Sequence, residues 1–179
     1  MNETKQAIQL SFIKIYEHKP FEKISIKEIC INAPVARTTF YEYYENLAEL
    51  KAEIEDTLIN GILQLSDENV KNSLDTIGLT EYFSKVLQYI QKNWDVNYAF
   101  LVKQPNYEYM EKWKNAIKYH FKCRFPEKTT IPNYDVIVEV IASGVMGAYV
   151  YWMKHPEEIN ASKISEISAK VFITLMNII

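Results

Sequence analysis

Arg37, Thr38 and Thr39 place one cation and two small hydroxyls side by side, with Ala36 before them and Tyr41 and Tyr43 just after. These residue types offer recognition chemistry, not bond-breaking chemistry. A guanidinium matches the paired acceptors of a guanine edge, and hydroxyls meet either bases or phosphates. Small residues such as Ala36, Thr38 and Thr39 let a helix approach base edges that bulky ones would hold away. Ser25 and Lys27 lie a few residues earlier and add a hydroxyl and a charge suited to phosphate.

Nothing comparable is arranged for catalysis or for metal binding. His18, His120 and His155 have no metal-ligand spacing with one another or with Cys30 and Cys123. His18 and His155 lie beside prolines, where capping a helix C-terminus accounts for them. No Ser-His-Asp set, nucleophile elbow or paired carboxylates can be argued. Only four glycines are present, and neither glycine-rich phosphate-binding fingerprint occurs. The expectation is a protein that is not an enzyme and needs no metal or other cofactor.

Two short helices must position the recognition residues. Ser25 is the expected N-cap of a helix over residues 25–30, and a tight turn near Ala33–Ala36 leads into a second helix carrying Arg37. Two short helices joined by a tight turn form the helix-turn-helix pattern of DNA readers. A first helix is read from Ile8, Phe12, Ile15 and Tyr16 at helical spacing, closed by Pro20. A long fourth helix starts near Asn46, with Leu47, Leu50, Ile54, Leu58 and Leu65 on one face.

This region resembles the TetR/AcrR family of bacterial regulators. The resemblance runs without a gap from Ile8 to Leu50, about a quarter of the chain. It is carried by Ile15-Tyr16, Phe21, Ser25-Ile26, Ile29-Cys30, Ala33, Val35, Thr39-Phe40-Tyr41, Tyr43-Tyr44 and Leu50. Two positions depart from the pattern: Pro34 stands at the usual turn glycine, and Leu47 at a lysine that in the family grips a phosphate. The resemblance implies base reading by Arg37 and Thr38, with Ala36 small enough to let the helix approach. It also implies phosphate contact by Thr39, Tyr41 and Tyr43, with Ser25 and Lys27 in support. Phe40 and Tyr44 are expected in the core.

The rest of the chain reads as helical at 3.6-residue spacing, with no strand expected and a polar linker over residues 67–80. The body crowds aromatic residues into its first half. Tyr82, Tyr89, Tyr98, Tyr109, Trp113, His120 and Tyr149 are candidate lining for an apolar or flat ligand. Gly144 and Gly147 permit close helix approach. The pattern Phe83, Leu87, Tyr89-Ile90, Asn93, with the later Gly144 to Trp152 run, resembles the C-terminal domain of some Firmicutes-type members of the same family. In that family the last two helices form a four-helix bundle across a dimer, which assigns dimerisation to Ile141, Val145, Ala148, Trp152, Ile164, Val171 and Leu175.

The expected architecture is all-α with about nine helices. A helix-turn-helix head over residues 1–46 joins a ligand-binding and dimerisation domain over residues 47–179. The expected function is sequence-specific transcriptional regulation by a homodimer on a palindromic operator in double-stranded DNA. A small effector would release the repressor. The chain carries a net charge of −3. Residues 1–50 hold six Lys or Arg against seven Glu, or −1, which supplies little of the usual salt-dependent affinity. That balance, with Leu47, keeps a second reading in view: a family member acting as a protein-binding co-regulator. No membrane segment or signal peptide is read, and two distant cysteines fit a reducing cytoplasm.

Overall fold

The computed structural model describes residues 3–69 and 76–176, and among them it is all-α, with nine α-helices and no strand. The helices are α1 (Glu3–Tyr16), α2 (Ile26–Asn32), α3 (Arg37–Tyr43), α4 (Leu47–Asn69), α5 (Thr76–Lys92), α6 (Trp94–Tyr98), α7 (Tyr107–Arg124), α8 (Tyr134–Lys154) and α9 (Ala161–Met176). A π-helical turn, Ala99–Lys103, continues α6. A 3₁₀ turn, Pro126–Thr130, joins α7 to the segment before α8. The expected linker is helical at both ends, inside α4 and α5, and residues 70–75 lie outside the described residues.

Two compact units divide the chain. The head is Met1–Leu58 together with Asp95–Asn106, and the body is Ile59–Trp94 together with Tyr107–Ile179. The boundary read from the sequence, at 46/47, differs from this division. The first turns of α4 and the α6–π segment pack into the head because they complete its core. Tyr16 lies edge-on to Phe100 at 4.9 Å, and its hydroxyl donates to the Gln104 carbonyl at 3.3 Å. The buried Glu55 carboxylate accepts from Asn106 Nδ2 at 2.5 Å and pairs with Lys51 at 3.3 Å. A carboxylate taken out of water needs such partners. Burial, with Glu55 and Glu22 adding negative potential, pushes the Tyr16 phenol up to about 12.

Apolar side chains at helical spacing on α1, α2, α3 and α4 build the head core around Ile8, Phe12, Ile29, Phe40, Tyr44 and Leu50. The body packs α5 on α9, α7 on α8, and α8 on α9. Its centre holds a stack of Phe121 on Phe172, with ring centroids 4.3 Å apart. Helix α8 has the length and mean hydropathy, 1.6, of a membrane span. Tyr134, Val138, Ile141, Ala142, Val145, Met146, Tyr149, Trp152 and Met153 are nevertheless buried against the body, which is how a core helix comes by that composition.

Candidate nucleic-acid interface and buried polar core

Helix α2 begins as the sequence predicts. Ser25 is its N-cap, its hydroxyl accepting from the Glu28 N–H while the Glu28 carboxylate accepts from the Ser25 N–H, a full capping box. Lys19 pairs with that same carboxylate at 2.5 Å. This lysine and Ser25 hold Glu28 below the usual carboxylate range. The turn between α2 and α3 is closed by the Val35 N–H donating to the Cys30 carbonyl at 3.0 Å. Pro34 sits in it with φ of 22°, on the glycine-favouring side, although its ring prefers about −65°.

Helix α3 starts from Ala36 as N-cap and divides cleanly by face. Phe40 is fully buried, with the Tyr44 ring 5.8 Å away. Gln9 Nε2 donates to the Tyr44 hydroxyl at 3.0 Å, fixing α1 to the end of α3. On the other face Ala36, Arg37 and Thr38 are exposed and Tyr41 is 56% exposed, while Thr39 and Tyr43 are partly covered. Lys27 is exposed on α2. Every residue assigned to DNA from the sequence therefore lies at or near the solvent side of the two short helices.

The electrostatics around that face are mixed. Asn46 caps α4 by accepting from the Glu49 N–H at 3.0 Å, and the Glu49 carboxylate accepts from the Glu45 N–H at 2.6 Å. Lys5 pairs with Glu53 at 2.6 Å. Leu47 is half-buried at the first position of α4, not a free apolar tip.

In the body, the ligand candidates separate. Tyr82, Tyr109, Trp113, His120 and Tyr149 are all buried. They are joined through rings: Tyr82 lies flat on His120 at 3.9 Å, and Trp113 meets Tyr109 and Tyr149 edge-on. Tyr98 belongs to the head unit instead. The Tyr89 ring lies against Gly61, where an added Cβ would come within 2.2 Å of its hydroxyl oxygen, so Gly61 makes room for it.

His120 is fully buried, and neither ring nitrogen has a hydrogen-bond partner. Burial first, then the Arg124 guanidinium one turn on, push its pKa down to about 3. The Trp113 indole N–H, the Ser168 hydroxyl and the Tyr134 hydroxyl are also buried without a hydrogen-bond partner. Burial holds the Tyr149 phenol far above its ordinary value. The sequence marked His120 and Trp113; Ser168 and Arg124 were missed, since a serine and an arginine on amphipathic helices carry no signal of burial.

The dimerisation candidates divide by face. Ile141, Val145, Trp152 and Ile164 are buried in the body's own core and are not available at its surface. The period places them on the inner stripe of α8 and α9. Ala148 and Leu175 are half-buried, and Val171 is 45% exposed. The outer stripe of α8 is Val136, Val140, Gly144, Gly147 and Tyr151, with Ile167 and Val171 exposed on α9. A groove of about 280 Å³ between α7 and α8, bounded by Tyr107, Met110, Met146, Gly147 and Val150 among others, continues that stripe.

Among the described residues the chain is all-α, with the two short helices α2 and α3 ahead of a helical body. A TetR-type family model, described as "Transcriptional regulator C-terminal region", matches residues 78–174. The chain belongs to the TetR family of transcriptional regulators. Solved structures share the fold along the whole length. The TetR transcriptional regulator from Streptococcus agalactiae is 20% identical with a TM-score of 0.69, covering 94% of this chain and 92% of that one. The fatty acid degradation regulator FadR from Bacillus halodurans is 10% identical with a TM-score of 0.72, covering 96% and 95%. The dihydroxyacetone kinase operon activator DhaS is 18% identical with a TM-score of 0.63, covering 98% and 97%. No curated protein sequence matches this chain.

Proposed function

We propose that this protein is a cytoplasmic, sequence-specific DNA-binding repressor that works as a homodimer and is released from a palindromic operator by a small effector. The observation that carries the DNA reading is the two-faced helix α3: Phe40 anchors it in the core while Ala36, Arg37, Thr38 and Tyr41 face solvent. Arg37 and Thr38 read base edges; Thr39, Tyr41, Tyr43, Ser25 and Lys27 hold phosphates. No catalytic role is assigned to any residue. The effector core comprises Tyr82, Tyr109, Trp113, His120 and Tyr149. Its occupant shifts the two heads between spacings that do and do not match successive major grooves, about 34–36 Å apart in simple helix-turn-helix dimers.

The dimer is supported by the two glycines of α8. A Cβ added at Gly144 or Gly147 would meet nothing within 4 Å. Intrachain packing therefore gives no reason for either glycine, although each weakens a helix interior by about 1 kcal/mol relative to alanine. A second copy of α8 crossing closely there supplies the reason, with Val140 and Tyr151 covered beside it.

The test is a gel shift on the promoter region of the protein's own operon at low and high salt, with Arg37→Ala alongside. Loss of one base contact costs on the order of 1–3 kcal/mol and relaxes preference at one operator position. An Arg37→Ala profile identical to wild type removes Arg37 from the reading set. A second reading, a protein-binding co-regulator, is favoured by the Glu49 carboxylate at the start of α4 and by Leu47 where the family has lysine. Absence of any shift at low salt selects it.

A further inference from the structure

We infer that Glu42 on α3 is a specificity-determining residue, its carboxylate reading the N4 amino group of a cytosine in the major groove, one in each half of the operator. This rests on the DNA-binding reading above and adds to Arg37 and Thr38 a reader that can only accept.

The orientation of α3 singles this residue out. Phe40 and Tyr44 are buried and fix the inner side of the helix. At about 100° per residue, Thr38 and Glu42 each lie about 160° round from Phe40, on either side of the direction pointing straight away from the core. Both are exposed. Being four residues apart, they stand one above the other along that outer ridge. Arg37 and Tyr41 form the row on one flank. A helix that enters a groove with its anchored ring behind it therefore presents Thr38 and Glu42 foremost. Nothing within the fold accounts for a carboxylate at this place. Among the described residues Glu42 makes no hydrogen bond or ion pair. The nearest cation in sequence, Arg37, lies about 140° away round the helix. Glu42 is the last residue but one of α3, at the end whose dipole disfavours an anion, and Glu45 follows with the same charge.

The chemistry of the base edges selects the partner. An ionised carboxylate accepts hydrogen bonds and donates none. Guanine shows only acceptors in the major groove, and thymine an acceptor and a methyl group, so neither offers it a donor. Adenine has an amino group, but N7 lies on one side of it and the O4 of the paired thymine on the other. The cytosine amino group has an acceptor on one side alone, the O6 of the paired guanine. The expected order is cytosine, then adenine, with guanine and thymine rejected. The same charge is repelled by phosphates, so Glu42 lowers affinity for every sequence while it raises discrimination. Specificity gained by repelling the wrong partner accounts for a carboxylate on the foremost ridge of a DNA-reading helix.

The test is selection of bound sequences from a randomised duplex library at low salt by the full chain, as wild type, Glu42→Ala and Glu42→Gln. Affinities for the selected duplex and its single-base variants follow. Wild type should prefer cytosine at one position of each half-site by roughly tenfold or more over guanine or thymine. Glu42→Ala should lose the preference at that position alone, and should bind duplexes of unrelated sequence more tightly than wild type does. Glu42→Gln places a donor beside an acceptor and should move the preference to adenine, whose N6 and N7 it can bond together. Arg37→Ala, run alongside, should relax a different position. Glu42 is exposed, so both variants should melt as wild type does, and the glutamine variant, of the same shape, carries the test if alanine alters the melt. A Glu42→Ala motif identical to wild type overturns the inference and leaves the DNA reading standing, even if affinity for all sequences rises together. A wild-type protein that selects no motif overturns both.

Discussion

The head and the body treat buried polar groups in opposite ways. In the head, Ser11 Oγ donates to the Ile29 carbonyl at 2.9 Å, the Tyr16 hydroxyl to Gln104, and Asn106 to Glu55. In the body, the buried nitrogens of His120 and Trp113 and the hydroxyls of Ser168 and Tyr134 make no hydrogen bond. Among the described residues every such orphan lies in the body unit. Satisfied networks rigidify a core and fix one arrangement, which suits a surface that must match a groove. Unsatisfied ones leave a core less stable than it could be and open to whatever fills it. The contrast supports the proposed division between a DNA-reading head and an effector-binding body.

The largest effect should come from breaking the head. Phe40→Ala removes a fully buried ring at the centre of α3, and should cost about 3–5 kcal/mol. Circular dichroism melting should lose the head's transition, with DNA binding lost alongside. A variant that melts like wild type would show that α3 is not anchored by this ring.

The body's orphaned imidazole predicts a pH dependence that the head lacks. The folded pKa of His120, about 3, lies below the unfolded value near 6.5. Above pH 6.5 both states are neutral there and the group contributes nothing. Between 6.5 and 3 only the unfolded state takes up the proton, so stability falls as pH falls, by up to about 1.4 kcal/mol per pH unit. Denaturant melts of wild type and His120→Phe should diverge below pH 6.5, and parallel curves would place the imidazole in water.

A smaller effect separates core from interface on α8. Gly144→Ala and Gly147→Ala should each stabilise an isolated body by about 1 kcal/mol through helix propensity. At a close helix crossing they should instead weaken the dimer, seen as a concentration-dependent shift in sedimentation. Stabilisation with no change in association state would move the dimer contact elsewhere.

The smallest change probes the head's charge. Leu47→Lys should steepen the log–log salt dependence of DNA affinity by about 0.9, independent of sequence. Since Leu47 is half-buried, its melting temperature serves as the control. An unaltered melt with an unaltered salt slope would mean that α4 does not start beside a phosphate.

Much of this molecule is local in origin and was legible from residue order alone. The capping box at Ser25, the seven-residue α3 with one buried ring, and the helical period of α5, α7, α8 and α9 depend on neighbours within a turn or two. Tertiary packing decided what the period leaves open. It drew residues 95–106 into the head through Glu55, Asn106 and the Tyr16 ring, partners 51 and 84 to 88 residues apart in sequence. It turned Ile141, Val145, Trp152 and Ile164 inward and left Val136, Val140 and Tyr151 outside, because a helix apolar on several sides does not itself say which stripe is covered. It also buried His120, Trp113 and Ser168 without a hydrogen-bond partner among the described residues, a burial that no sequence spacing records.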